Sequence, residues 1–160
     1  MQLYILRHGI ADDGVPGQPD SERALTQEGK KKLRSVLKHA SQVGVNPTLI
    51  LTSPFRRAIE TAQIAAELLG YRGDLVKTSV LIPSSKPESV WDEVRVHKDE
   101  AQVLLSGHDP LSSHLTGYLL GCPSLRVDFK KGAIVRIDLD GFSAIPRGTL
   151  KWMLVPKLAK

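Results

Sequence analysis

Apolar residues fall along this chain in short blocks rich in Ile, Leu and Val, and most blocks are followed by a stretch with apolar positions every three or four residues. A short continuous apolar block reads as a strand buried on both faces, and the helical recurrence as a helix with one buried stripe. The alternation therefore predicts an α/β architecture with a largely parallel sheet. Residues 2–7 form the first expected strand. The first helix opens with Thr26 as N-cap and Glu28 in its first turn, buries Leu33, Val36, Leu37 and Ala40, and ends near Gly44. "TLILT" at 48–52 predicts the second strand. "SPFRRAIETAQIAAELLG" predicts the clearest helix, with Ser53 as N-cap, Pro54 at the first helical position and Gly70 as its stop.

Residues 75–82 are expected to be extended, Pro87 to start a helix running to about Lys98, and "QVLLS" at 102–106 to form another short strand. Asp109-Pro110 then repeats the cap-then-proline arrangement of Ser53-Pro54 and opens a helix that ends near Gly121. The C-terminal quarter changes character. "GAIVRIDLD" and "TLKWMLVP" read as strands joined by a loop from Asp140 to Gly148, which predicts an antiparallel pair at one sheet edge. No internal repeat, linker or low-complexity tract interrupts the chain, so residues 1–160 are expected to form one domain.

Charge adds a preference for anionic partners: 22 Lys+Arg against 17 Asp+Glu leave a net +5. Nucleic acid is disfavoured among them, because the basic residues are scattered and aromatic residues, at 5%, are too few for the stacking platforms of single-strand binders. Lys30-Lys31-Lys32 falls inside the first helix and reads as a solvated face. No apolar run approaches the roughly 18 residues of a membrane span, so no membrane partner is expected. The single cysteine, Cys122, allows no internal disulfide, and the opening residues lack the charged and apolar regions of an export signal; the expected location is the cytoplasm.

Three expected strands finish in polar residues at a strand-to-helix turn: Arg7-His8-Gly9, Ser53-Pro54-Phe55-Arg56-Arg57 and Ser106-Gly107-His108-Asp109. In an open parallel sheet ligands bind beyond the carboxyl ends of the strands, so these distant segments are expected to meet in one crevice. Guanidinium forks bind phosphoryl oxygens bidentately and stay charged at any working pH. A neutral imidazole beside them is a nucleophile near pH 7 and, once phosphorylated, a leaving group for water. Gly9 would let the loop pass close to the bound anion. Arg56 and Arg57 share a first helical turn, where the macrodipole disfavours cations, so at least one is expected to have an anionic partner.

These segments resemble the histidine phosphatase superfamily, to which phosphoglycerate mutase belongs: "LRHG" after the first strand, "LTQEG" before the first helix, "TSPFRRAIETA" at the second and "SGHDP" after the fourth strand. The short length and "ERALTQEG", similar to an "RPLTxxG" pattern, point to its compact SixA-type branch of phosphohistidine phosphatases. The resemblance implies a three-layer α/β/α sandwich of the phosphoglycerate mutase-like kind. It also implies His8 as the phosphorylated nucleophile, Arg7 and Arg57 as clamps, and His108 as a hydrogen-bonding stabiliser of the transferring group. Arg23 matches the arginine of "RPLT" and would line the pocket, although Ala24 stands where proline is usual. The implied partners are a phosphohistidine-bearing signalling or phosphocarrier protein as substrate, and inorganic phosphate or sulfate in the pocket.

Larger relatives that cleave phosphate esters carry a general acid in an insertion after the third strand, because an alkoxide leaving group needs a proton. Here "LIPSSKPESVWDEV" offers Glu88, Asp92 and Glu93, with no spacing that singles one out, and they read as ordinary solvated acids. A phosphohistidine substrate removes the need for an acid, since its imidazole can leave already protonated. A phosphatase for small esters with Glu88 as acid is the alternative, and a non-catalytic phosphate-binding regulatory module the second. His8, His39, His97, His108 and His114 show no metal-binding spacing, so neither a metal nor an organic cofactor is expected.

Overall fold

A computed structural model describes residues 1–160. Its scaffold is one six-stranded sheet: β1 (Gln2–Arg7), β2 (Leu49–Thr52), β3 (Val76–Lys77), β4 (Gln102–Gly107), β5 (Ile134–Leu139) and β6 (Gly148–Leu154), in the spatial order β3-β2-β4-β1-β5-β6. The pairs β3/β2, β2/β4 and β4/β1 are parallel, whereas β1/β5 and β5/β6 are antiparallel. The sheet is therefore mostly parallel with an antiparallel edge, as the change of pattern after residue 131 predicts.

β1 and β4 lie at the centre, and their successive side chains serve both faces. Leu3 and Ile5 join a core with α3 (Pro87–Val96) and α4 (Leu111–Leu119), through Val90, Trp91, Val94, Leu111 and Leu115. Tyr4 and Leu6 join the opposite core with α1 (Gln27–Gln42) and α2 (Arg56–Leu68), through Leu33, Val36, Leu37, Ala62 and Ala65. A strand covered on both sides must be apolar at every position, which is why these strands lack polar alternation. The result is the three-layer α/β/α sandwich.

Local chemistry accounts for the element ends. Thr26 Oγ1 accepts the Gly29 N–H at 3.0 Å and caps α1 as expected, while Gly44, at φ +87°, turns the chain out of it. Two helix starts differ from expectation. α2 begins at Arg56 rather than after Ser53, because Ser53 Oγ takes the Phe55 N–H at 3.2 Å and is also bound to a histidine described below. α4 begins at Leu111 after Pro110, with Asp109 Oδ1 accepting the Ser113 N–H at 3.1 Å. The extended stretch at 75–82 reduces to a two-residue strand and a 3₁₀ turn at Ser79–Leu81, capped by Thr78.

Candidate active site

The carboxyl ends of β1, β2 and β4 bring the three predicted segments together. His8 continues β1, its N–H donating to Gly107 O at 2.9 Å, and Ser53 N–H donates to Ser106 O at 2.9 Å. These bonds fix both histidine-bearing turns in register with the sheet. Ser106 Oγ donates to Ala58 O at 2.8 Å, and Thr61 Oγ1 accepts from Gly9 N–H at 3.2 Å and donates to Arg57 O at 2.7 Å. The first turns of α2 are thus tied to both loops.

His8 is buried, with Nδ1 2.7 Å from Gly9 O. A carbonyl only accepts, so this bond assigns the ring proton to Nδ1 and leaves the lone pair on Nε2. Arg57 Nε donates to that Nε2 at 3.3 Å. Burial, opposed by the Gly9 bond and reinforced by Arg57, Arg7 and Lys131, pushes the His8 pKa down to about 4. The His108 ring stands 5.1 Å from that of His8, tilted by 60°. Burial first, then His8 and Arg57, against the pull of Asp20, lower its pKa to about 3. Both imidazoles are neutral at pH 7.

His108 Nε2 lies 2.8 Å from Ser53 Oγ. Oγ accepts the Phe55 N–H, and its own proton finds no acceptor other than Nε2, which assigns the His108 proton to Nδ1. That Nδ1 is buried and has no partner, and neither has Arg7 Nε. A buried polar group without a partner is costly and calls for an occupant; two such donors in a cluster that holds two guanidiniums suit an oxyanion.

The two arginines are held differently. Arg7 Nη1 donates to Phe129 O at 2.6 Å, in the segment before β5. Arg57, only 4% exposed, donates from Nη1 to Asp20 O at 2.8 Å and from Nη2 to Asp20 Oδ2 at 3.1 Å. The Phe55 ring lies 5.2 Å from its guanidinium carbon and meets the His108 ring edge-on. Arg56 points outward to Glu60 at 3.6 Å, so each of the paired arginines has its anionic partner and Arg57 alone faces the histidines.

A family model described as "Histidine phosphatase superfamily (branch 1)" matches residues 3–80, which carry His8 and Arg57. The chain belongs to the histidine phosphatase superfamily. It is 29% identical over 170 aligned positions to the phosphohistidine phosphatase SixA of Escherichia coli, covering 100% of this chain and 99% of that protein. An uncharacterized protein of Picosynechococcus sp. is 32% identical over 137 residues, 84% of this chain and 83% of its own. A solved structure of protein histidine phosphatase SixA complexed with tungstate superposes with a TM-score of 0.89 at 29% identity, each chain covered in full. The fold is the phosphoglycerate mutase-like fold of SixA.

Arg7, His8, Arg57 and His108 assemble, Gly9 adjoins them through its bond to His8, and Arg23 and Glu88 stand apart. Gly9 is required for packing: a Cβ there would come within 2.6 Å of Leu33 Cδ1 on α1, and its N–H and C=O are taken by Thr61 and His8. That is a different steric reason from room for an anion. Arg23 donates to Asp20 Oδ1 at 2.8 Å and to Asp12 O at 2.9 Å, reaching Arg57 only through Asp20. Glu88 is exposed on α3, and its charge acts on Tyr118, whereas the carboxylates acting on Arg7 are Asp109 and Asp128.

Asp20, Ser53 in its bond to His108, and the Phe129 carbonyl escaped the sequence reading. For Asp20 the only local signal is its i,i+3 spacing from Arg23. His39 bonds Ser35 O along α1 and His97 pairs with Glu93. No three His, Cys, Asp or Glu side chains gather in a metal-binding cluster.

Proposed function

We propose that this protein is a metal-independent phosphatase that removes the phosphoryl group from phosphohistidine on a signalling or phosphocarrier protein, through a phosphorylated His8. The observation that carries the reading is the unprotonated Nε2 of His8 beside Arg57, in a cluster where Arg7 Nε and His108 Nδ1 lack partners. The tungstate bound by the SixA relative supports an oxyanion as occupant.

In the first step His8 Nε2 forms a bond to phosphorus as the P–N bond of the substrate breaks, and the substrate imidazole, protonated on its other nitrogen, leaves neutral. The bond made is of the same kind as the bond broken. No alkoxide develops, so no general acid is needed. Phosphorylated His8 keeps its Nδ1 proton on Gly9 O, which suits the positive character of the ring. Water then attacks phosphorus, the electron pair of the P–N bond returns to Nε2, and dihydrogen phosphate departs with both water hydrogens in the product. Arg7, Arg57 and the His108 Nδ1–H neutralise the spreading charge on the equatorial oxygens. The residues of these steps belong to one domain, and the exposed Cys122 thiol suits a reducing cytoplasm.

Hydrolysis of a phosphohistidine protein compared with a panel of sugar phosphates, each with and without a chelator, tests the reading. The phosphohistidine protein should be preferred at least tenfold in kcat/KM, with chelation changing rates less than twofold. Preference for sugar phosphates that is lost in Glu88→Gln would instead establish the ester phosphatase, and a strict metal requirement would overturn the mechanism.

A further inference from the structure

Arg7 also lines a cavity outside the histidine cluster, of about 590 Å³, with Lys32, Lys130, Lys131 and Lys157 around it and Asp128 as its one acid. A second cavity of about 620 Å³ continues outward past Lys32, Pro156 and Lys157 to Lys31 and Lys160. Lys32 and Lys130 are paired, with Glu28 and Asp128 at 2.9 Å each. Lys131 and Lys157 are exposed and form no ion pair. Together the cavities make one basic groove that begins at a phosphate clamp.

The groove is built into the catalytic frame. Gly132 N–H donates to the carbonyls of Arg7 at 3.2 Å and His8 at 3.0 Å, Arg7 N–H donates to Ala133 O, and Phe129 O takes the Arg7 guanidinium. Gly132 needs its positive φ of 78° to make this turn, and a Cβ there would touch Pro156. Lys131 is thereby carried on a turn fixed to the nucleophile's own backbone. On the other side of His8 the clamp arginine bears the half-exposed carboxylate of Asp20 instead. The basic groove therefore lies on the Arg7 side of the mouth, whereas on the Arg57 side the one carboxylate, Asp20, is paired with both Arg57 and Arg23.

We propose that this groove docks the acidic face of a protein whose phosphohistidine enters the site, with Lys32, Lys131 and Lys157 taking carboxylates on the Arg7 side; this rests on the reading given under Proposed function. A small phosphorylated metabolite would fill the pocket and leave the outer lysines without partners. A single-stranded nucleic acid would want aromatic faces, and the apolar residues of the inner cavity are Ile10, Val155 and Pro156. The unpaired lysines lie on the Arg7 side alone, so they set where the acidic face lands and speed its approach.

The test compares Lys32→Glu/Lys157→Glu with Lys98→Glu/Lys151→Glu, an equal charge change on exposed residues outside the groove. The substrates are a phosphohistidine carrier protein of net negative charge and phosphoramidate. The groove variant should raise KM for the protein at least tenfold, flatten its salt dependence and leave phosphoramidate turnover within twofold; the control should change neither substrate by more than twofold. An unchanged KM, or an equal rise in both variants, overturns the proposal. Should the native enzyme fail to hydrolyse any phosphohistidine protein, the functional reading falls, and the groove is judged by fluorescence anisotropy with labelled decaglutamate and a labelled ten-nucleotide DNA. Peptide binding that is lost in the groove variant sustains the docking surface, whereas no peptide binding, or tighter DNA binding, removes it.

Discussion

Arg57 Nε lies 3.3 Å from Nε2 of His8, the ring nitrogen that the bond between Nδ1 and Gly9 O leaves without a proton. One guanidinium thus meets the lone pair of the ring and, in the proposed mechanism, would also take the transferring oxygens. Arg57→Ala should lower kcat/KM about 10²- to 10³-fold, the typical loss for one preorganised donor to a developing charge. Arg57→Lys keeps the charge and loses the fork, and should recover less than a tenth of that loss. Arg56→Ala, which removes only the exposed pair with Glu60, should stay within twofold. Steady-state kinetics of the three variants check this.

The buried imidazoles set the response to pH. With the His8 pKa near 4 and that of His108 near 3, the proposed nucleophile is neutral throughout the physiological range, so kcat/KM should show no loss from these groups until pH falls toward 4. Stability follows the same groups. Their folded pKa lies below the unfolded value of about 6.5, so the unfolded chain binds more protons between those limits. Stability is then full above pH 6.5 and declines as pH falls through 4, by an amount on the order of 3 kcal/mol for His8. Urea denaturation from pH 7 to 4 should show a shallower decline for His8→Asn than for the native protein.

Asp20 holds Arg57 through both its carbonyl and its carboxylate, and Arg23 holds Asp20. Burial alone would raise the Asp20 pKa, and the bonds from Arg23 and Arg57 bring it below the usual range. Asp20→Asn should lower kcat about tenfold with a smaller change in KM, since the variant misplaces an arginine rather than removing it. Arg23→Ala should act in the same direction more weakly, and add almost nothing in an Asp20→Asn background, because both work through Arg57. A double-mutant cycle on kcat measures the coupling.

Glycines on the catalytic loop and the helix beneath it should be sensitive for packing reasons. A Cβ on Gly29 collides with the Ile10 carbonyl, and one on Gly9 with Leu33. Gly29→Ala meets backbone, which cannot move aside, and should cost about 1–3 kcal/mol in urea denaturation. Gly9→Ala meets a side chain and should cost less stability, while shifting the carbonyl that fixes the His8 tautomer and so reducing kcat.

Much of the fold is legible because strands buried on both faces must be apolar throughout, as in "LYIL" of β1 and "VLL" of β4. The four central site residues are legible for a related reason: each lies at the carboxyl end of a strand or in the turn and helix start that follow it, where a ligand crevice forms. Ser53 misleads because its hydroxyl serves His108 and the Phe55 N–H, which displaces the start of α2 to Arg56. Asp20 stays hidden because its partner is 37 residues away, and the Phe129 carbonyl because a backbone oxygen leaves no trace in residue type. Gly9 is visible as a glycine, yet the atom that requires it belongs to a helix two dozen residues on.

The central claim is a covalent phosphoryl group on His8, and brief incubation of the native protein with phosphoramidate, followed by acid-avoiding digestion and mass spectrometry, tests it most directly. The expected result is one phosphoryl group on the peptide bearing Arg7-His8-Gly9, labile to acid and absent from His8→Ala. Turnover without any covalent phosphate on His8, or normal turnover by His8→Ala, would contradict it.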